Sequence, residues 1–176
     1  SIRRRIRYNS NIMKVALVHD YLNQYGGAER VLEVLMEIFP EAPVHTLLYD
    51  KERTLNRFGD RVAKTSFLDF PIVRQEHRLF IPLMPLAARS INLGDQYDLI
   101  ISDTAGFAKG IRYGGKTQHI SYIHTPLRYA WEQEYLPEKI FNFQFSIFKP
   151  LAKPILNYLK QWDYQAGQKP DVLIAN

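Results

Sequence analysis

The pair Gly26-Gly27 lies between an apolar segment, Val15–Val18, and residues 28–39, whose apolar side chains recur at helical spacing before Pro40. Adjacent glycines let the backbone take a positive φ and leave no Cβ in the way of a ligand. A helix that begins at such a loop directs N–H groups and the positive end of its dipole towards an anion. The segment therefore predicts a phosphate-binding loop, or alternatively a tight strand-to-helix turn without a ligand.

A second candidate is His124, in the run YIHTPLRYAW. It follows the apolar residues 120–123, so we expect it at the carboxyl end of a buried strand, where open α/β sheets bind ligands. Pro126 suits the first turn of a following helix and Thr125 its cap. A lone histidine is commonly structural, but this position favours function, together with its neighbours Arg128, Tyr129 and Trp131.

Polar residues also follow two other apolar segments. His19-Asp20 comes after the first predicted strand, and Ser102-Asp103-Thr104 comes after residues 99–101. Three polar strand ends on one rim of a parallel sheet predict a ligand site. His45 and His77 have no such context, and we interpret them as structural.

The segment Gly110–Thr117 satisfies the phosphate-loop pattern GxxxxGK[ST] and would indicate an ATP- or GTP-hydrolysing protein. Lys116-Thr117 leads into an apolar, strand-like segment instead of a helix, so we interpret it as a glycine-rich turn. The dinucleotide motif GxGxxG and the hydrolase elbow GxSxG are absent from the sequence. There is also no DxD triplet and no paired spacing of the five histidines, so metal chemistry finds little support.

Composition narrows the class of protein further. The 176 residues suffice for one domain with a core, and the 46% hydrophobic share is that of a globular protein. The absence of cysteine excludes disulfides, thiolate metal sites and thiol catalysis, and fits a cytoplasmic protein. No apolar run is long enough to span a bilayer, and no segment resembles a signal peptide.

The net charge of +5 is concentrated at the start of the chain. Residues 1–12 contain four arginines and no acid, and Met13-Lys14 resembles a natural start. We therefore treat residues 1–12 as a tag or upstream extension and exclude them from the fold. The remaining charge does not support a nucleic-acid partner.

Strand-like and helix-like segments alternate along residues 13–176, which predicts a doubly wound, mostly parallel α/β sheet with helices on both faces. The predicted strands are residues 15–18, 44–49, 62–67, 99–101, 120–123 and 172–174. Because such a sheet normally continues beyond its last strand, we expect residues 13–176 to be one lobe of a longer protein.

Two segments depart from this alternation. Residues 74–93 are apolar, but their prolines exclude one straight helix. Residues 139–162 combine aromatic residues with four lysines, and Pro150 and Pro154 are expected to divide them into shorter helices. This segment is interpreted as packing on the sheet, with contact to a membrane surface as the alternative.

Four motifs in order, HDYLNQYGGAERVLE, FPEAPVHTLLYD, SDTAGFAKGI and YIHTPLRYAW, resemble the N-terminal domain of family 4 glycosyltransferases. Within that family the chain is most similar to the mannosyltransferases of bacterial O-antigen and capsular polysaccharide assembly. The resemblance covers about residues 13–176. It implies the two-lobed GT-B fold, in which a Rossmann-like N-terminal lobe mainly binds the acceptor and a C-terminal lobe grips the nucleotide.

The resemblance also implies an activity. Such enzymes transfer a hexose, here mannose, from a nucleotide sugar such as GDP-mannose to a glycan or lipid-linked glycan, with retention and without a bound metal or other cofactor. This implies a cytoplasmic location at the inner face of the membrane, with peripheral membrane contact, and an isolated lobe is expected to be inactive. The alternatives are a phosphate-loop hydrolase using residues 110–117 and a non-catalytic carbohydrate-binding domain.

The resemblance assigns roles to particular residues. Gly26 and Gly27 would approach the donor diphosphate and the acceptor, and His124 would be the catalytic residue, in contact with the donor sugar. Weaker candidates for acceptor contacts are Asp20, Asp103, Arg128, Tyr129 and Trp131.

Overall fold

The computed structural model describes residues 13–132 and 149–175. Six strands form one sheet in the order β3-β2-β1-β4-β5-β6, and every neighbouring pair is parallel. They are β1 (Val15–Leu22), β2 (Val44–Tyr49), β3 (Val62–Thr65), β4 (Leu99–Thr104), β5 (Gln118–Ile123) and β6 (Val172–Ala175). This confirms the predicted doubly wound, Rossmann-like α/β architecture. The strand order reverses between β1 and β4, which makes these two strands the topological switch point.

Helices flank the sheet. They are α1 (Gly27–Ile38), α2 (Pro71–Gln75), α3 (Met84–Ser90), α4 (Arg128–Trp131) and α5 (Lys149–Gly167), with 3-10 turns at His77–Leu83 and Ala108–Gly110. Within residues 13–132 and 149–175, no helix combines the length and the apolar character needed to cross a bilayer.

The core has two layers, one on each face of the sheet. In β1, Ala16 and Val18 pack into one layer, and Val15 and Leu17 pack into the other. Side chains alternate between the faces of a strand, so a strand buried on both faces is apolar throughout. This accounts for the unbroken apolar runs at the centre of the sheet.

The predicted strand ends need correction. β1 continues to Leu22 instead of ending at Val18, and β4 continues to Thr104 instead of ending at residue 101. His19 and Asp103 therefore lie inside strands, where both are buried and are joined by a hydrogen bond between β1 and β4. Buried polar groups with partners are compatible with a strand interior.

Two helix predictions were wrong. The helix after β5 begins at Arg128, not at Pro126 with a Thr125 cap, because the buried Leu127 is held in an extended conformation. Pro154 does not divide its segment but lies inside α5. Packing of Leu159 into the core favours the continuous helix over the local cost of a proline.

The interruption of residues 74–93 is confirmed, since α2, a 3-10 turn and α3 replace a single helix. The part of the segment 139–162 that precedes Lys149 lies outside the described residues, so the predicted division at Pro150 stays a prediction.

Candidate functional site

A buried carboxylate joins two histidines at the carboxyl edge of the sheet. His19 of β1 and Asp103 of β4 are register partners, and His19 Nδ1 lies 3.0 Å from Asp103 Oδ2. The other carboxylate oxygen, Oδ1, lies 2.6 Å from Nε2 of His124, which directly follows β5. The three side chains thus span adjacent strands at the switch point, where ligands bind to sheets of this kind.

Helix α1 extends this cluster towards the glycine loop. Glu29, in its first turn, places Oε1 3.8 Å from His19 Nε2. Its other oxygen, Oε2, accepts a hydrogen bond of 2.8 Å from the backbone N–H of Gly26. Hydrogen bonds join Gly26 to Glu29 and Asp103 to both His19 and His124, and an ion-pair contact of 3.8 Å joins Glu29 to His19.

His19 is a cationic member of this cluster. Burial lowers the pKa of His19, but the hydrogen bond to Asp103 and the ion-pair contact with Glu29 outweigh it and raise the pKa to about 10. Burial raises the pKa of Glu29, but the interaction with His19 and backbone N–H groups hold this pKa below its usual value. At neutral pH, His19 is an imidazolium between two carboxylates.

His124 is the member of this cluster that reaches the surface. Its side chain is 16% exposed, whereas those of His19, Asp103 and Glu29 are almost fully enclosed. Tyr122 packs edge-on against the His124 ring at 5.0 Å. Because Asp103 fixes the ring through Nε2, its Nδ1 lies on the side of the ring away from Asp103.

The glycine loop does not have the conformation expected from the sequence. Neither Gly26 nor Gly27 has a positive φ, and Gly26, the N-cap of α1, has φ −148° and ψ −149°. At Gly27 a Cβ would find no atom within 4 Å, so open space adjoins the backbone, and the close approach of a ligand there stays a prediction. A Cβ on Gly26 would lie 3.3 Å from Glu29 Oε2. Gly27 therefore presents open backbone, whereas Gly26 is closed in by Glu29.

Asp20 faces the opposite side of the sheet from His19. Its carboxylate accepts hydrogen bonds from the Thr104 hydroxyl and from the backbone N–H groups of Ala105, Phe107 and Ala108. The residue is only 6% exposed. Its contacts in this structure hold the loop after β4, and a contact with an acceptor stays a prediction.

The remaining predicted residues lie around α4. Arg128 is exposed at its start, and Tyr129 is partly buried against the core. Trp131 donates a hydrogen bond of 2.8 Å from Nε1 to Asp163 of α5. It also lines an open, largely apolar pocket of about 510 Å³ with Pro126, Tyr164 and Leu173, and its hydrogen bond to Asp163 directs it towards α5.

The segment Gly110–Thr117 is a loop, as predicted. It follows a 3-10 turn and leads directly into β5. The Thr117 hydroxyl donates to the Tyr97 carbonyl at 2.7 Å. The helix whose first turn completes a phosphate loop is not formed here.

The sequence interpretation named His19 as part of a polar strand end but gave it no role, and it did not single out Glu29. Period-two alternation in β1 places His19 on the α1 face with Val15 and Leu17. Glu29 stands three residues after Gly26, which is the position of the glutamate in a capping box, although glycine lacks the side chain that completes that motif. These two signals together would have found both residues.

The two histidines interpreted as structural have partners in the fold. His45 Nε2 lies 3.4 Å from the Tyr97 hydroxyl, and burial lowers the pKa of His45 to about 4. His77 Nδ1 lies 3.1 Å from the Asn23 side-chain amide.

Within the described residues, no group of three or more histidine, aspartate or glutamate side chains is arranged to hold a metal ion. Comparison of the chain with protein-family models, with curated proteins and with solved structures found no match.

Proposed function

We propose that this chain is the N-terminal, acceptor-side lobe of a retaining, GT-B glycosyltransferase that transfers mannose from a nucleotide sugar to a lipid-linked glycan. The observation that carries the proposal is the His19–Asp103–His124 cluster at the switch point, adjoining the open backbone of Gly27. The four ordered motifs of the resemblance support the same class. The proposed protein works without a bound metal, at the cytoplasmic face of a membrane, and includes a second lobe that holds the nucleotide.

The proposed chemistry follows from the positions of these groups. Cleavage of a sugar–diphosphate bond develops negative charge on the leaving diphosphate. Backbone N–H groups at the start of α1 and the dipole of this twelve-residue helix stabilise that charge. His124 would contact the donor sugar, while Asp103 acts as a positioning residue that fixes the ring through Nε2.

The test is mannose transfer from GDP-mannose by the full-length protein that contains this chain. His124→Ala should lower kcat by 100-fold or more. Its stability cost should be about 1–3 kcal/mol, because the variant leaves the buried Asp103 Oδ1 without this partner but keeps the fold's core intact. Asp103→Asn should lower kcat and alter its pH profile, since the amide cannot accept hydrogen bonds from both histidines.

A matched control is Asp98→Asn, which changes a carboxylate just before the same strand, at the opposite edge of the sheet. This variant should retain wild-type transfer. Wild-type kcat in His124→Ala would refute the assigned role. Nucleotide binding that depends on Lys116 would instead favour the phosphate-loop alternative.

A further inference from the structure

Six large apolar side chains are exposed on the segment that links β3 to β4. Their exposed fractions run from 43% to 60%. We call this set the 67–86 surface, and it consists of Phe67, Phe70, Ile72, Leu79, Leu83 and Leu86.

The segment is anchored from its inner side, so these side chains cannot turn into the core. Val73, Ile81, Met84 and Ala87 of the same segment are buried in the main core layer. The backbone N–H of Phe67 lies 3.5 Å from the Ser90 hydroxyl, which brings the two ends of the segment together. The exposed apolar side chains therefore form a fixed feature of the folded chain.

The charges beside the 67–86 surface are mainly basic. Lys64, Arg78 and Arg89 are exposed within or next to the segment. Residues 64–90 contain two acids, Asp69 and Glu76. Asp69 is paired with Arg74 at 2.6 Å, so Glu76 is the acid that remains to balance the basic side chains. An apolar surface with a basic margin has the charge that complements an anionic lipid surface.

The segment also adjoins the carboxyl edge of the sheet. The side-chain amide of Asn23, directly after β1, donates a hydrogen bond of 2.9 Å to the Arg74 carbonyl and lies 3.1 Å from His77. The linking segment is thus tied to the end of the strand that carries His19.

We propose that the 67–86 surface docks the protein on the interface of an anionic bilayer, with Phe67, Leu79 and their apolar neighbours in the headgroup layer. This inference rests on the proposed function, because docking here would bring a lipid-linked acceptor to the edge that carries His124. The 67–86 surface is separate in sequence from residues 139–162, the segment for which the sequence suggested membrane contact.

The experiment is co-sedimentation of the full chain with vesicles of phosphatidylcholine alone and of phosphatidylcholine with phosphatidylglycerol. We expect binding to the anionic vesicles. Removal of one inserted leucine should lower the partition coefficient about tenfold, so L79S/L83S should reduce binding strongly. Removal of one basic residue near the lipid should lower it about fivefold, so R78Q/R89Q should abolish the preference for anionic vesicles.

The matched control is V34S/I38S, which removes two equally exposed apolar side chains from α1. This control should bind vesicles as the wild type does. Equal binding by wild type and L79S/L83S, or no binding by the wild type, would overturn the proposal. Concentration-dependent self-association that L79S/L83S abolishes, without vesicle binding, would assign the surface to a second copy of the chain.

No nucleotide sugar is present in the vesicle assay, so the two proposals fail separately. A protein that lacks transferase activity but binds vesicles in a way that L79S/L83S weakens would overturn the glycosyltransferase assignment. That result would leave the docking surface in place. Intact transfer by a chain that does not bind vesicles would remove the docking surface alone.

Discussion

The charge on His19 makes a quantitative prediction about stability. His19 lies between Asp103 and Glu29, and these contacts raise its pKa from the usual 6.5 to about 10. A group that binds its proton more tightly in the folded state stabilises that state at pH values below its unfolded pKa. This stabilisation should be complete below about pH 6.5 and should be lost as pH rises towards 10.

The magnitude follows from the difference between the two pKa values. One unit of difference between the folded and unfolded pKa corresponds to about 1.4 kcal/mol. Protonation of His19 therefore stabilises the folded state by about 5 kcal/mol at pH values below the unfolded pKa. The whole free energy of unfolding of a domain is commonly about 5–15 kcal/mol. The protein should therefore lose a large part of its stability between pH 7 and pH 10.

The assay is urea unfolding of the wild type and of His19→Gln at each pH unit from 6 to 10. Glutamine can still donate a hydrogen bond to Asp103 but carries no titrating proton. The difference in unfolding free energy between the two proteins should shrink by about 1.4 kcal/mol per pH unit above pH 7. A constant difference across this range would show that His19 is neutral in the folded protein and would refute the reasoning.

Two further predictions concern Gly27 and Asp20. Gly27→Ala should leave stability unchanged or raise it by up to about 1 kcal/mol, since the Cβ meets open space and alanine favours helix. The same variant should raise the KM for the nucleotide sugar in the full-length protein, and an unchanged KM would exclude a close ligand approach at Gly27. Asp20→Asn should cost about 3 kcal/mol in urea unfolding, because an amide NH₂ would face the N–H groups of Phe107 and Ala108 or of Ala105. The exposed control Asp60→Asn should change stability by less than about 0.5 kcal/mol. Equal effects of the two substitutions would contradict the role of Asp20 in holding the loop after β4.

The sheet could be predicted because its central strands are apolar on both faces. Residues 15–18 and 99–101 read as strands from composition alone, and alternation with helical segments predicts a parallel sheet. The strand ends could not be placed because His19 and Asp103 are polar. Their burial depends on pairing with each other across strands that are 84 residues apart in sequence.

The candidate site could be predicted only as a location. The carboxyl ends of parallel strands lie at the same edge of the sheet, so His19, Asp103 and His124 could be expected close together. The alternation of side chains in β1 separates His19 from Asp20, although the two are adjacent in sequence. Asp20 consequently contacts the loop after β4, whereas His19 contacts α1.

Gly26 and Gly27, which together resemble a phosphate-binding loop in the sequence, differ in how open their backbone is to a ligand. The N–H of Gly26 already donates to Glu29, so an anion at the loop must use N–H groups further along α1. Glu29 brings a negative charge to the same turn, and this charge opposes an anion there. The imidazolium of His19 offsets that charge, because the pKa of about 10 keeps His19 protonated at neutral pH. Since Asp103 contacts both His19 and His124, the charge at the glycine loop and the orientation of His124 depend on the same carboxylate.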